Sequence, residues 1–227
     1  MSPRSRHASA SRPAPSAAAN RWRLFLAVPL PDPVRAVVAA LTAEFAAEGW
    51  PVRWVDADGA HLTLHFLGEM APERAALIRL ALPAVAARHQ RFDLRTSGLG
   101  VFPNPRRPRV IWLGLHGPAH RLATLHRDLG ETLAELEMAV DAKPLHPHIT
   151  LGRVRNQGTA AFPLRDLPDA LRGRLADAGP EAVPPPPSRP LPVREIVLVR
   201  SHLGRDGARY EVLARYPLAT TPKRGGA

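Results

Sequence analysis

The sequence predicts an α+β fold with an internal duplication, and three observations carry the prediction. Short apolar runs of strand type are interleaved with three long stretches of helical periodicity. Two of the strand-like runs, His61-Leu62-Thr63-Leu64-His65-Phe66-Leu67-Gly68 and His146-Pro147-His148-Ile149-Thr150-Leu151-Gly152-Arg153, share a His-x-Thr-Leu core 87 positions apart. Each core follows an earlier apolar strand at the same distance, with a helix between: 35 residues from Leu26 to His61, and 35 from Leu113 to His148. Two repeated units related by a pseudo-two-fold axis would bring the two His strands face to face.

The elements follow in order. Residues 1–21 are rich in Ser, Ala, Pro and Arg and bury too little apolar surface to offset ordering entropy, so they are expected to form a disordered basic tail. Prolines 3, 13 and 15 argue against the amphipathic helix of an organellar transit peptide. Residues 23–29 are a continuous apolar strand. Asp32-Pro33 reads as a helix start, and Val34, Val37, Val38, Leu41 and Phe45 have helical spacing up to Glu48-Gly49. Residues 52–55 are a short strand, and Ala57-Asp58-Gly59 turns the chain into the first His strand. Pro72 opens a helix over 72–88 in which Pro83 is a kink point. A strand over 91–97 leads to a Gly-rich turn at Gly98-Leu99-Gly100. Asn104 to Arg109 is a Pro- and Arg-rich hairpin loop, and residues 110–115 are a buried strand. Leu122, Leu125, Leu129, Leu133 and Leu136 make the clearest helical stripe, feeding the second His strand. Residues 168–176 suit a short helix. Seven prolines in 179–192 predict an extended surface loop. Strands at 194–201 and 209–218 close the fold, and 219–227 is a second disordered tail.

Composition narrows the function. The 227 residues hold no cysteine, which excludes disulfides and thiolate metal sites and fits a reducing compartment. No run reaches the roughly 18 apolar residues of a membrane span, and no apolar secretory segment is visible. The net charge is +11, but seven of those charges are Arg4, Arg6, Arg12, Arg21, Arg23, Lys223 and Arg224 in or beside the tails. The remaining +4 is a mild basic bias that agrees with a nucleic-acid ligand.

The chemistry lies in the paired motif. Side chains i and i+2 of a strand share a face, so His61 and Thr63 point one way while Leu62 and Leu64 root the strand in the core. His148 and Thr150 repeat this over Ile149 and Leu151. By the same parity His65 joins the His61 face, His146 the His148 face, and Phe66 the core. An imidazole with pKa near ~6.5 is available as either base or acid near neutral pH, so two of them can run acid–base chemistry on a phosphate without a metal. The Thr63 and Thr150 hydroxyls can donate to the non-bridging oxygens.

These motifs resemble the two-histidine (2H) phosphoesterase superfamily, and within it the RNA 2′,3′-cyclic phosphodiesterase family, also called 2′-5′ RNA ligase. Arg23 to Val28, Phe66-Leu67-Gly68-Glu69, Gly98 to Phe102, Val110 to Gly114, Leu198 to Ser201 and Tyr210 to Leu218 extend the resemblance over residues 22–218. It implies a single bilobal domain there, with two mainly antiparallel sheets flanked by helices around a central cleft. It further implies hydrolysis of RNA 2′,3′-cyclic phosphate ends to a 2′-phosphate, with 2′-5′ ligation as the reverse chemistry. His61 becomes the proton donor to the leaving O3′ and His148 the proton acceptor from water; nothing in the two motifs themselves distinguishes these roles. Thr63, Thr150 and Arg153 become substrate contacts. No cofactor and no metal are implied, and the expected setting is a cytoplasmic monomer that meets RNA and no membrane. Arg153 lies five residues past His148, on the opposite face of an ideal strand, and a bulge at Gly152 would bring it round.

Other readings stay open at this level. The same strands would serve a relative acting on a small cyclic nucleotide or a 2′-5′ linkage, or a non-catalytic RNA-binding module. His61, His65, His146 and His148 could instead form a four-imidazole metal site, although neither strand brings a carboxylate to it. Trp54, Trp112, Phe25 and Phe102 suit a core better than base-stacking platforms. Arg106, Arg107 and Arg109 suit either an RNA-backbone contact or a solvated loop. His89, His116, His120, His126 and His202 have no partner pattern and read as surface.

Overall fold

Alternation and apolar spacing produce the expected elements in the computed structural model, which describes residues 21–104, 107–140, 144–155, 187–204 and 207–220. In chain order these are β1 (Trp22–Pro29), α1 (Asp32–Ala46), β2 (Val52–Trp54), β3 (His61–Met70), α2 (Pro72–Arg88), β4 (Phe92–Phe102), β5 (Val110–His116), α3 (Ala119–Glu135), β6 (His148–Val154), β7 (Pro190–Val193), β8 (Glu195–Gly204) and β9 (Gly207–Pro217). The helix expected over 168–176, the tail over 1–20, Arg106 and the last seven residues lie outside the described residues.

The two expected sheets are one. The nine described strands form a single sheet in the order β7-β4-β5-β6-β3-β1-β8-β9, with β2 also paired to β6. The strand pairings are antiparallel, and the sheet curls into a half-barrel. The physical reason is that the His strands hydrogen-bond to one another, with Leu62 opposite Ile149, which joins the halves at a seam. The repeat is nevertheless present within that sheet. Outward from the seam, β3-β1-β8-β9 mirrors β6-β5-β4-β7, and α1 links β1 to β3 as α3 links β5 to β6.

One core underlies the sheet. Val34, Val38 and Leu41 of α1, Ile78 and Leu82 of α2, and Leu122, Leu125, Leu129 and Leu133 of α3 join Leu24, Leu26, Leu62, Leu113 and Ile149 of the strands in a continuous buried cluster. Each such side chain contributes about 1.5–3 kcal/mol. A separate small cluster of Phe25, Ala27, Val197 and Val199 covers the other face of β1 and β8. That second face carries the candidate site.

Two further expectations change. β4 runs through Gly98 and Gly100 to Phe102 instead of turning, because β5 pairs with it past an irregularity between Thr96 and Leu99. Residues 190–193, expected as loop, form β7 against β4. Pro190 and Pro192 are tolerated there because β7 is an edge strand, whose outer side needs no ladder donors. Beyond β9, Ala219 exchanges hydrogen bonds with the His89 carbonyl and the Arg91 N–H.

Candidate active site

Both His strands break their alternation at the same place. Opposite β1 the register skips Leu64, and opposite β5 it skips Leu151, in each case the leucine after the motif threonine. An extra residue reverses the facing of everything beyond it. His65 therefore enters the core face at 3% exposure, and Phe66 comes out at 52%. This corrects the parity reading of both residues. In β6 the same slip leaves Gly152 buried and Arg153 exposed. Gly152 lies under β2, where a Cβ would meet Val52 Cγ1 at 2.5 Å and Trp54 Cε3 at 2.7 Å.

The two motif histidines are held identically. His61 Nδ1–H donates to the Gly59 carbonyl at 2.8 Å, and His148 Nδ1–H donates to the His146 carbonyl at 2.7 Å. A carbonyl can only accept, so the proton is fixed on Nδ1 and Nε2 of each ring is left for chemistry. Burial lowers both pKa values, the carbonyl bonds push back upward, and the charge of Arg153 lowers both again. His148 also lowers His61, and His146 lowers His148. Arg153 thus acts on both imidazoles at once. Thr63 and Thr150 are half-buried, and neither hydroxyl has a protein hydrogen-bond partner among the described residues.

Aromatic rings frame each imidazole. Phe25 stacks on His61 at 4.5 Å, and Tyr210 meets it edge-on at 5.2 Å. Gly59 makes room for Tyr210, since a Cβ there would lie 3.0 Å from its ring. On the other side Phe102 stands edge-on to His148 at 5.0 Å, with Trp112 and His146 beyond it. Phe25 and Phe102 are therefore walls of the site as well as packing groups. Trp54 packs against Phe45 and Trp50 at the core margin, as expected. Sequence reasoning missed the orienting carbonyls and Tyr210. The former had a usable signal: Gly59 and His146 each lie two residues before a motif histidine.

The four-imidazole arrangement does not form. His65 lies beneath the sheet, where its Nε2–H donates to the His126 carbonyl at 2.8 Å and its ring stacks on that of His126 at 3.9 Å. His126, expected at the surface, is half-buried there, and desolvation and the facing His65 push its pKa down to about 4. Among the described residues no group of three or more His, Asp or Glu side chains is placed to hold a metal ion, and no helix is long and apolar enough to cross a membrane.

The arrangement has relatives. The model of the LigT-like phosphoesterase family matches residues 28–112. The chain is 34% identical over 203 residues to the RNA 2′,3′-cyclic phosphodiesterase of Geobacillus stearothermophilus, covering 89% of this chain and 59% of that longer one. It is 32% identical over 184 residues to the RNA 2′,3′-cyclic phosphodiesterase of Aeropyrum pernix, covering 81% and 96%. Its fold matches the crystal structure of E. coli LigT complexed with 3′-AMP with a TM-score of 0.64 at 29% identity, covering 88% of this chain and 99% of that one.

Proposed function

Because the chain belongs to the LigT-like phosphoesterase family, we propose that its 22–218 domain opens 2′,3′-cyclic phosphate ends of RNA to 2′-phosphates by histidine acid–base catalysis. The observation that carries this is the paired fixing of His61 and His148. Each ring has Nδ1–H tied to a carbonyl, so each offers one Nε2 to the same face of the sheet.

In this mechanism His148 Nε2 takes a proton from water as the water oxygen bonds to phosphorus. The P–O3′ bond breaks, and His61 Nε2–H gives its proton to the departing O3′. The electron pair of the broken bond stays on O3′, and the phosphate stays on O2′. Proton exchange with solvent resets both rings. Negative charge gathers on the non-bridging oxygens, within reach of the Thr63 and Thr150 hydroxyls and the Arg153 guanidinium. Fixed donors of this kind typically supply about 10²–10³ each in rate. The assignment of His61 as acid follows the family resemblance.

The test is conversion of a short RNA ending in a 2′,3′-cyclic phosphate, with a chelator present and the product end identified. His148→Ala and His61→Ala should each cost about 10²–10⁴ in kcat with RNA binding retained. Turnover that survives His148→Ala sinks the catalytic assignment.

A further inference from the structure

The tip of the β4–β5 hairpin carries features that the two-histidine chemistry does not use. Phe102, Pro103, Asn104, Arg107, Arg109 and Val110 line a cavity of about 460 Å³. It adjoins the site, because Phe102 is both its wall and the ring 5.0 Å from His148. Register places this wall on the catalytic face: Phe102 pairs with Val110, Gly100 with Trp112, and Trp112 with Thr150. The Trp112 ring covers Gly100, where a Cβ would come within 2.1 Å of it, so only glycine leaves room for the wall. The Arg107 and Arg109 heads are exposed and have no acidic partner among the described residues. Their backbones are nonetheless fixed: Arg107 N–H donates to Asn104 Oδ1 at 3.2 Å and Arg109 N–H to the Phe102 carbonyl at 2.6 Å.

Aromatic faces beside guanidinium groups with no acidic partner among the described residues are what a single nucleic-acid strand recognises. We propose that this corner is a subsite for the internucleotide phosphodiester on the 5′ side of the terminal nucleotide. A base packs on the Phe102–Trp112 wall, and Arg107 and Arg109 hold the phosphate. The inference rests on the phosphodiesterase reading and narrows it. The substrate is an RNA chain of at least a dinucleotide, and a lone nucleoside cyclic phosphate leaves the corner empty.

The test is the Arg107→Ala/Arg109→Ala double variant of the full chain, checked for an unchanged melting temperature. Two substrates are compared: a short RNA ending in a 2′,3′-cyclic phosphate, and a nucleoside 2′,3′-cyclic phosphate with a free 5′-hydroxyl. KM for the RNA should rise about tenfold, and KM for the mononucleotide should change by less than about twofold. Binding of a labelled single-stranded RNA, read by anisotropy, should show a slope of log Kd against log salt that is flatter by about 0.7 for one released phosphate. Equal losses on both substrates, or no loss on RNA, overturn the subsite. A wild-type protein that turns over neither substrate overturns the phosphodiesterase reading instead, and the binding slope then decides the subsite by itself.

Discussion

His61 and His148 are each pulled two ways: burial disfavours the imidazolium, and the carbonyl on Nδ1 favours it. Burial wins in both, so both free-enzyme pKa values lie below the ordinary ~6.5. The proposed mechanism needs one ring protonated and the other neutral, so kcat/KM should follow a bell whose maximum lies at or below about pH 6.5. A maximum in the alkaline range would refute the pair. Arg153→Ala removes positive charge from both rings, so it should shift the bell upward while lowering kcat about 10²-fold; Arg153→Lys should keep more of the rate. A drop in rate with no movement of the bell would separate Arg153 from the histidines. His126 supplies a stability signature. Its folded pKa of about 4 lies below the unfolded ~6.5, so between these values the unfolded chain binds more protons. That contribution is complete above about pH 6.5 and is lost as pH falls toward about 4. The urea midpoint should drop between about pH 7.5 and about pH 5, and His126→Gln should reduce the drop. The sequence made His61, Thr63, His148 and Thr150 readable because their types recur at fixed spacing. It hid His126, because a lone imidazole at the edge of a leucine stripe looks the same whether it faces solvent or another ring.

At the level of the strand, the bulges at Leu64 and Leu151 decide what each half shows to a ligand. Simple alternation follows β3 as far as Leu64 and then fails, since a slip of one residue is invisible in a run of Leu, His, Phe and Leu that tolerates either facing. In β6 the following glycine is a visible marker, and Gly152 has a measurable duty. Gly152→Ala would drive a methyl into Val52 and Trp54. It should cost about 1–3 kcal/mol in denaturant unfolding and, in the proposed mechanism, weaken phosphate binding through Arg153. Unchanged stability would mean that β2 moves aside freely. β7 departs from the expected loop for a related reason. Proline density signals loop when a strand is central, but an edge strand can carry proline on its open side.

Across the whole molecule, equal spacing disclosed the repeat, but the union of its halves depends on a pairing between residues 87 positions apart. No local pattern reports such a contact. Because Leu62 and Ile149 share one core with all three helices, unfolding should be a single cooperative transition. Calorimetry that resolves two transitions would restore independent lobes.

On the site face His61 and Thr63 match His148 and Thr150 across the seam, and beyond the bulges the match ends. Five positions past each motif histidine the chain presents Phe66 on one side of the seam and Arg153 on the other. Nearer the seam the carbonyl-tied ring and the hydroxyl are duplicated, so a phosphate lying between them meets the same two groups from either side. In the proposed mechanism, that contrast between a ring and a cation, with the Arg107 and Arg109 corner on the Arg153 side of the seam, sets the polarity with which an RNA strand enters and with it which imidazole faces water.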